Sequence, residues 1–335
     1  MGETTYSLLS FVFVFILSLV VTKFIIIVTQ KKNILQHTNH RSLHKIPTPP
    51  GGGWAIILSS ILVWSFLFGI FNEENTILLV CVALLAIISW LDDMKTLPAF
   101  HRFGIQALAV AACLYVIPDE NRILHADLPL VFDRVLSGIC WLWFINLFNF
   151  MDGMDGLAGS ETVCITIGIV LIGSQIGLAE THLYLALLLT AATIGFLFWN
   201  WAPARIFLGD VGSIPIGFLL GWLLIQLALN GALLAAVILP LYFLFDATFT
   251  LLKRVLKREK IWQAHRQHFY QQAALLGLSH RQVVLRIIPF NIILIGGAYA
   301  SLSYPIVGIG MSLFAIVSII FALFFFSQGS QSLKT

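Results

Sequence analysis

Asn146, Asn149, Asp152 and Asp155 recur every three residues where the apolar run from Val135 to Phe150 ends, and a glycine follows each aspartate. On an α-helix each step of three turns the side chain by about −60°. Consecutive members therefore neighbour one another, while the first and last do not share a face. Gly153 and Gly156 loosen the helix at that point. Polar side chains closing a membrane-length segment are costly if idle, about 2.5–3.5 kcal/mol for an Asp at the centre of a span. Two helix-end carboxylates facing water are the bland account. Acids in or beside spans more often mark sites, and this set suits a metal ion or a polar ligand at the membrane surface.

Four further stretches carry comparable chemistry. In His44-Lys45-Ile-Pro47-Thr48-Pro-Pro-Gly51-Gly52-Gly53 a rigid turn precedes glycines that let backbone approach a ligand, and Lys45 is suited to a phosphate. A loop that simply enters a helix fits the stretch equally well. Asp92 and Asp93 are adjacent carboxylates, which repel unless a cation, Lys95 or Mg²⁺, stands beside them. Asp210 lies between Gly209 and Gly212 at a helix start, either as an N-cap or as a ligand group. Finally, Arg266 is flanked by His265 and His268. Arginine offers a forked donor to phosphate oxygens, and charged histidine donates as well. Histidines three apart could instead ligate a metal, but no Cys or third His nearby completes a zinc set.

The elements that must hold these groups are membrane helices. The chain has 335 residues, 59% hydrophobic and only 10% charged, where a soluble domain carries about 25% charge; its mean hydropathy is +0.93. The net charge of +3 gives no reason to expect a nucleic-acid partner. Cys81, Cys113, Cys140 and Cys164 lie in apolar runs without a CxxC pair and read as packing residues. The N-terminus lacks the basic region and cleavage site of a signal peptide, so the first apolar run is expected to be retained. Periodicity and run length predict an all-α polytopic bundle of about eleven transmembrane helices in a single domain, 1–335. Their expected bounds are 6–28, 53–71, 76–91, 103–118, 135–150, 160–178, 182–200, 212–229, 232–252, 283–302 and 305–327. One set of connections, 29–52, 92–102, 151–159, 201–211, 253–282 and the C-terminal tail, carries fifteen Lys and Arg residues. The opposite set carries two, Arg122 and Arg134. By the positive-inside rule the first set is cytoplasmic, with the N-terminus outside and the C-terminus inside. Every polar cluster above then falls on the cytoplasmic face. The run Lys253 to Lys260 reads as an anchor to anionic membrane lipid.

Five aspartates on one face would repel a phosphate. A hard divalent cation bridging carboxylate and pyrophosphate oxygens resolves this, and Mg²⁺ suits oxygen ligands. The constellation implies phosphoryl chemistry at the lipid–water boundary, between a phosphate-bearing lipid and a soluble phosphorylated donor.

The motifs Pro47-Thr48-Pro-Pro-Gly51-Gly52, Asp92-Asp93, Asn146 to Leu157, Phe207-Leu-Gly209-Asp210 and His265-Arg266-Gln267-His268 occur in this order over nearly the whole chain. In this the chain resembles the polyprenyl-phosphate N-acetylhexosamine-1-phosphate transferases, which share a superfamily with the phospho-N-acetylmuramoyl-pentapeptide transferase. The resemblance implies a bacterial cytoplasmic-membrane enzyme. It would transfer a sugar-1-phosphate from a UDP-N-acetylhexosamine donor to a polyprenyl phosphate acceptor, with Mg²⁺ or Mn²⁺ and release of UMP; a homodimer is compatible with it. By the same resemblance Asp210 matches a metal-binding aspartate. Asp152 and Asp155 match aspartates of the nucleotide end and the metal, with Asn149 beside them. Phe207 matches an aromatic near uracil, and Asp92 and Asp93 a pair near the lipid phosphate. Lys45, Thr48 and Asn146 are expected among the substrate-binding residues, and His265, Arg266 and His268 among the catalytic ones. The loop departs from the histidine-rich forms of other branches: Phe269, Tyr270 and Gln271 follow His268. This form resembles the O-antigen-initiating branch that accepts 6-deoxy-N-acetylhexosamines.

Other classes fit less well. An intramembrane aspartyl protease needs Gly-x-Gly-Asp, but Phe207 stands two before Gly209. The CDP-alcohol phosphotransferase pattern needs an Ala-Arg that Asp152 to Gly156 lacks. An ion-coupled transporter would place its acids near mid-bilayer, often in two repeated halves; here they lie at one boundary in a single copy.

Overall fold

The structure, a computed structural model, describes residues 3–32, 48–69, 72–95, 97–124, 126–260 and 265–332. Among them the chain is helical throughout, without a strand. The helices are α1 (Glu3–Lys31), α2 (Gly53–Phe68), α3 (Glu73–Lys95), α4 (Ala99–Tyr115), α5 (Leu130–Met151), α6 (Leu157–Ile176) and α7 (Glu180–Asn200). They continue as α8 (Asp210–Leu229), α9 (Leu233–Ile238), α10 (Leu241–Leu256), α11 (Phe269–Leu275), α12 (His280–Ala300) and α13 (Pro305–Ser332). Eight of them, α1, α3, α5, α6, α7, α8, α12 and α13, are long and apolar enough to cross a membrane. The protein is a polytopic membrane bundle.

The bundle is built around α8. Its most apolar 18-residue stretch is 100% buried, as befits a helix that is apolar all round. α5 and α3 pack along it most extensively, with α2, α6 and α9 adding further contacts. Small residues let these backbones approach. A Cβ at Gly217 would lie 3.3 Å from Ile145 Cα, and one at Gly221 would strike the Trp141 ring at 2.2 Å. Trp141 stacks on Phe218 and donates from Nε1 to its carbonyl at 3.0 Å. α7 lies between α1, α2 and α6.

The helix termini follow local chemistry. Pro98 and Pro129 immediately precede α4 and α5, and Pro305 opens α13, since proline is tolerated where an N–H would be orphaned. Ser279 and Gln282 form a capping box at α12. Gly177, with φ 74°, closes α6.

The helix expected over 232–252 is instead two, α9 and α10, broken at Leu239 and Pro240. Proline supplies no N–H to continue the ladder. The cytoplasmic loop expected over 253–282 contains α11. α2 and α4 are only 16 and 17 residues long. The eleven expected segments are thus all helical, but eight meet the length of a full span.

Candidate active site

α3, α5 and α8 bring their polar ends together, and α4 begins beside them. Asp93 lies in the last turn of α3. Its carboxylate accepts from the backbone N–H of Asp210 and of Val211, both at 3.1 Å. Asp93 therefore caps α8 from a helix more than a hundred residues away, satisfying donors that a helix start leaves orphaned. Asp210 is not the N-cap; Gly209 is, with φ 76° and ψ 167°. A Cβ at Gly209 would stand 2.9 Å from Asp93 Oδ2, so the glycine permits both the backbone angle and the approach.

The Asp210 side chain is thereby left to other partners. Asn149 Nδ2, from the last turn of α5, donates to Asp210 Oδ1 and to Ser213 Oγ, each at 2.9 Å. Arg102 Nη1, in the first turn of α4, reaches Asp210 Oδ2 at 3.1 Å and also pairs with Asp92 Oδ2. Asp92 further accepts from the Leu97 N–H. One guanidinium thus ties the ends of α3, α4 and α8.

Asp152 follows α5 directly. Among the described residues none hydrogen-bonds its carboxylate. Burial, then the negative charges of Asp210, Asp93 and Asp155, hold that carboxyl well above the usual carboxylate range. Asp155 is buried and turned differently: its Oδ2 accepts from Ala204 N at 3.1 Å and stands 3.3 Å from His280 Nδ1. Gly156, with φ 74°, starts α6 and donates its N–H to Asn200 Oδ1 at 2.9 Å. Asn200 Nδ2 in turn donates to the Ile206 carbonyl.

The stretch 48–53 lies against 207–208. Phe207 N donates to Pro49 O, Gly52 N to Phe207 O and Gly53 N to Leu208 O, each at 2.9 Å. Thr48 is buried in this pairing segment. A Cβ on Gly53 would come within 2.1 Å of Gly212 Cα. The glycines here serve backbone contact between α2 and α8. Lys45 lies outside the described residues.

The histidine loop docks through Tyr270, whose hydroxyl donates to Phe150 O at 3.3 Å. A Cβ on Gly153 would strike that hydroxyl at 2.3 Å. His268 is buried, and its ring centroid lies 4.8 Å from that of His265. His265 Nδ1 accepts from Gln267 N at 3.3 Å. Arg266 is partly buried, and its carbonyl accepts from Gln272 Nε2.

Of the residues singled out in the sequence, Asp92, Asp93, Asn149 and Asp210 are joined by direct contacts, with Asp152 beside them. Asn146 is turned aside: its Nδ2 donates to Gln106 Oε1 at 2.9 Å and to Leu142 O. Arg102, Gln106, Asn200 and Asp246 were missed. Arg102 counted only as loop charge, although Pro98 sets a short turn that returns it to Asp92. Asp246 carried the signal that flagged Asp152, an acid in an apolar run.

Among the described residues no group of three or more His, Cys, Asp or Glu stands close enough to enclose a metal. Mg²⁺ does not require one, since it keeps waters and takes one or two carboxylates plus substrate oxygens. The hard oxygen donors Asp210 and Asp152, with Asp152 lacking any neutralising partner among the described residues, fit such an ion.

A helical membrane bundle that gathers carboxylates, an amide and a guanidinium at one end is a membrane protein with a built polar site. Residues 75–228 match glycosyl transferase family 4. The chain is 29% identical over 280 residues to a probable undecaprenyl-phosphate N-acetylglucosaminyl 1-phosphate transferase of Bacillus subtilis, covering 80% of this chain and 77% of that one. It is 31% identical over 225 residues to the phospho-N-acetylmuramoyl-pentapeptide-transferase of Thermotoga neapolitana, covering 62% and 71%. To the corresponding transferase of Chlamydia pneumoniae it is 28% identical, covering 77% and 80%. The chain belongs to glycosyl transferase family 4 and is a membrane transferase.

Proposed function

We propose that the protein transfers an N-acetylhexosamine 1-phosphate from a UDP-sugar to polyprenyl phosphate, releasing UMP and leaving a polyprenyl-diphosphate sugar. The observation that carries this reading is the meeting of the Asp92-Asp93, Asn149-to-Asp152 and Asp210 stretches, tied by Arg102. The named relatives are a probable undecaprenyl-phosphate N-acetylglucosaminyl 1-phosphate transferase and a phospho-N-acetylmuramoyl-pentapeptide-transferase. Asp210 and Asp152 would hold Mg²⁺, or Mn²⁺, which when bound offsets pyrophosphate charge. Asn149 orients Asp210 by donating to Oδ1. Arg102 adds a fixed positive charge, and Arg266 with His265 and His268 supplies donors to phosphate oxygens. Asp92 and Asp93 serve the acceptor side, and Lys45, Thr48, Asn146, Asp155 and Phe207 the binding and shaping of the substrate pocket. The whole chain, 1–335, acts as one domain of a bacterial cytoplasmic membrane, with its site on the cytoplasmic face; a homodimer is compatible. The HRQHFYQ loop favours a 6-deoxy donor and a role in starting O-antigen.

The purified protein, incubated with polyprenyl phosphate and a panel of UDP-N-acetylhexosamines, is expected to release UMP only when both substrates are present, fastest with the 6-deoxy donor. No release with any donor would overturn the transfer reading and leave an ion-coupled transporter as the alternative. Faster turnover of UDP-N-acetylglucosamine would overturn the 6-deoxy assignment alone.

A further inference from the structure

Asp246, on α10, is fully buried, and its carboxylate gathers five groups. Phe269 N donates to Oδ1 at 3.0 Å and Tyr270 N to Oδ2 at 3.3 Å. The Tyr242 and Thr250 hydroxyls stand 3.4 Å from Oδ2 and Oδ1. His268 Nδ1 lies 3.2 Å from Oδ1. A carboxylate at that distance accepts from Nδ1–H, and in the charged ring Nε2–H is the second donor. The same ring stacks on Tyr270 at 5.7 Å, and Tyr270 reaches Phe150 O beside Asp152. One carboxylate thus fixes the ring and the segment that docks on the acidic turn.

We propose that Asp246 is a positioning residue for the transfer, acting through His268 without touching substrate. It orients the imidazole and balances its charge from behind, so that Nε2–H can donate to a phosphate oxygen as negative charge grows there; no covalent step at Asp246 is involved. The proposal rests on the sugar-1-phosphate transfer reading. A purely architectural Asp246 would hold α11 and nothing more.

The test uses the full-length protein with UDP-sugar and polyprenyl phosphate, reading kcat and donor KM from UMP release. Asp246→Asn keeps an acceptor for a backbone N–H but loses the charge. It is expected to lower kcat by about 10- to 100-fold, the range typical of groups that orient a working histidine, with donor KM changed by less than about threefold. In a His268→Gln background the same substitution should add less than about twofold, because coupled residues are non-additive. Asp246→Glu should recover about half or more of the lost activity on a logarithmic scale. An equal loss from Asp246→Asn in both backgrounds, or a wild-type kcat in Asp246→Asn, would overturn the proposal. If Asp246→Asn does not fold, Asp246→Ser, which also lacks the charge, takes its place in the two backgrounds, with the same two outcomes deciding. Wild-type protein that releases no UMP would instead sink the transfer reading itself.

Discussion

Asp210 meets Arg102 through one oxygen and Asn149 through the other, while its own backbone N–H is held by Asp93. A carboxylate so fixed is pre-set for a cation. Asp210→Asn should therefore reduce UMP release by at least about 100-fold while leaving the melting temperature near wild type. Activity near wild type at ordinary Mg²⁺ would mean the carboxylate is not a ligand. Among the described residues Arg102 is the cation paired with both Asp92 and Asp210, and Arg102→Gln removes that positive charge. Mg²⁺ binding the folded state stabilises it by linkage. Mg²⁺ should then raise the melting temperature of Arg102→Gln more than that of wild type; an equal rise in both would show that Arg102 and Mg²⁺ do not share these carboxylates. Arg266→Lys keeps the charge but loses the planar fork. It should lower kcat more than it raises donor KM, as expected for charge stabilised in the transition state. A change confined to KM would make Arg266 a docking residue.

At the scale of elements, the site depends on two helix starts that nearly touch. The backbone bonds between 49–53 and 207–208 hold α2 against α8, and Gly53 faces Gly212 with no room for a Cβ. Because the obstacle is backbone, neither helix can yield by a rotamer change. Gly53→Ala should destabilise by about 1–3 kcal/mol, the usual range for overpacking, and displace Asp210 with the start of α8. Thermal melting in detergent and UMP release check both parts. A melting temperature and activity equal to wild type would mean that α2 shifts freely on α8. The break at Pro240 matters at the same scale. It frees α10 from α9, and α10 then presents Tyr242, Asp246 and Thr250 on one buried face toward the histidine loop.

For the molecule as a whole, the site lies at the end of the bundle that collects the basic loops, and we propose from the fifteen-to-two distribution of Lys and Arg that this end faces the cytoplasm. Lys95 and Lys260 are exposed at this end, and Glu120, in the connection between α4 and α5, is exposed at the other. In a chain with its four cysteines replaced, Lys95→Cys and Lys260→Cys should react with an impermeant maleimide only in opened cells. Glu120→Cys should react in intact cells. Labelling of Lys95→Cys from outside would invert the topology and remove the site from contact with a cytoplasmic donor.

Much was legible from sequence alone because its causes are local. Apolar run length marks spans, proline and glycine mark their ends, and an acid stranded at a span's end marks a site. The acidic end of α3, the Asp152 turn and the start of α8 could all be read in this way. What sequence could not supply was which side chain meets which. Arg102 reaches Asp210 across 108 positions and Asp93 caps α8 across 117, and no periodicity encodes such pairings. Asn146 shares its three-residue spacing with Asn149 and neighbours it on α5, yet its amide donates to Gln106 of α4 while that of Asn149 donates to Asp210 of α8. Asp155 follows Asp152 by three but lies beyond Gly153, where the chain leaves the helix, and so it binds Ala204 and faces His280 instead. Asp246 has Tyr242 and Thr250 within its own helix, but Phe269 and Tyr270 reach it when α11 folds back on α10. Local chemistry determined which residues were available, and packing around the buried α8 decided which of them stand together.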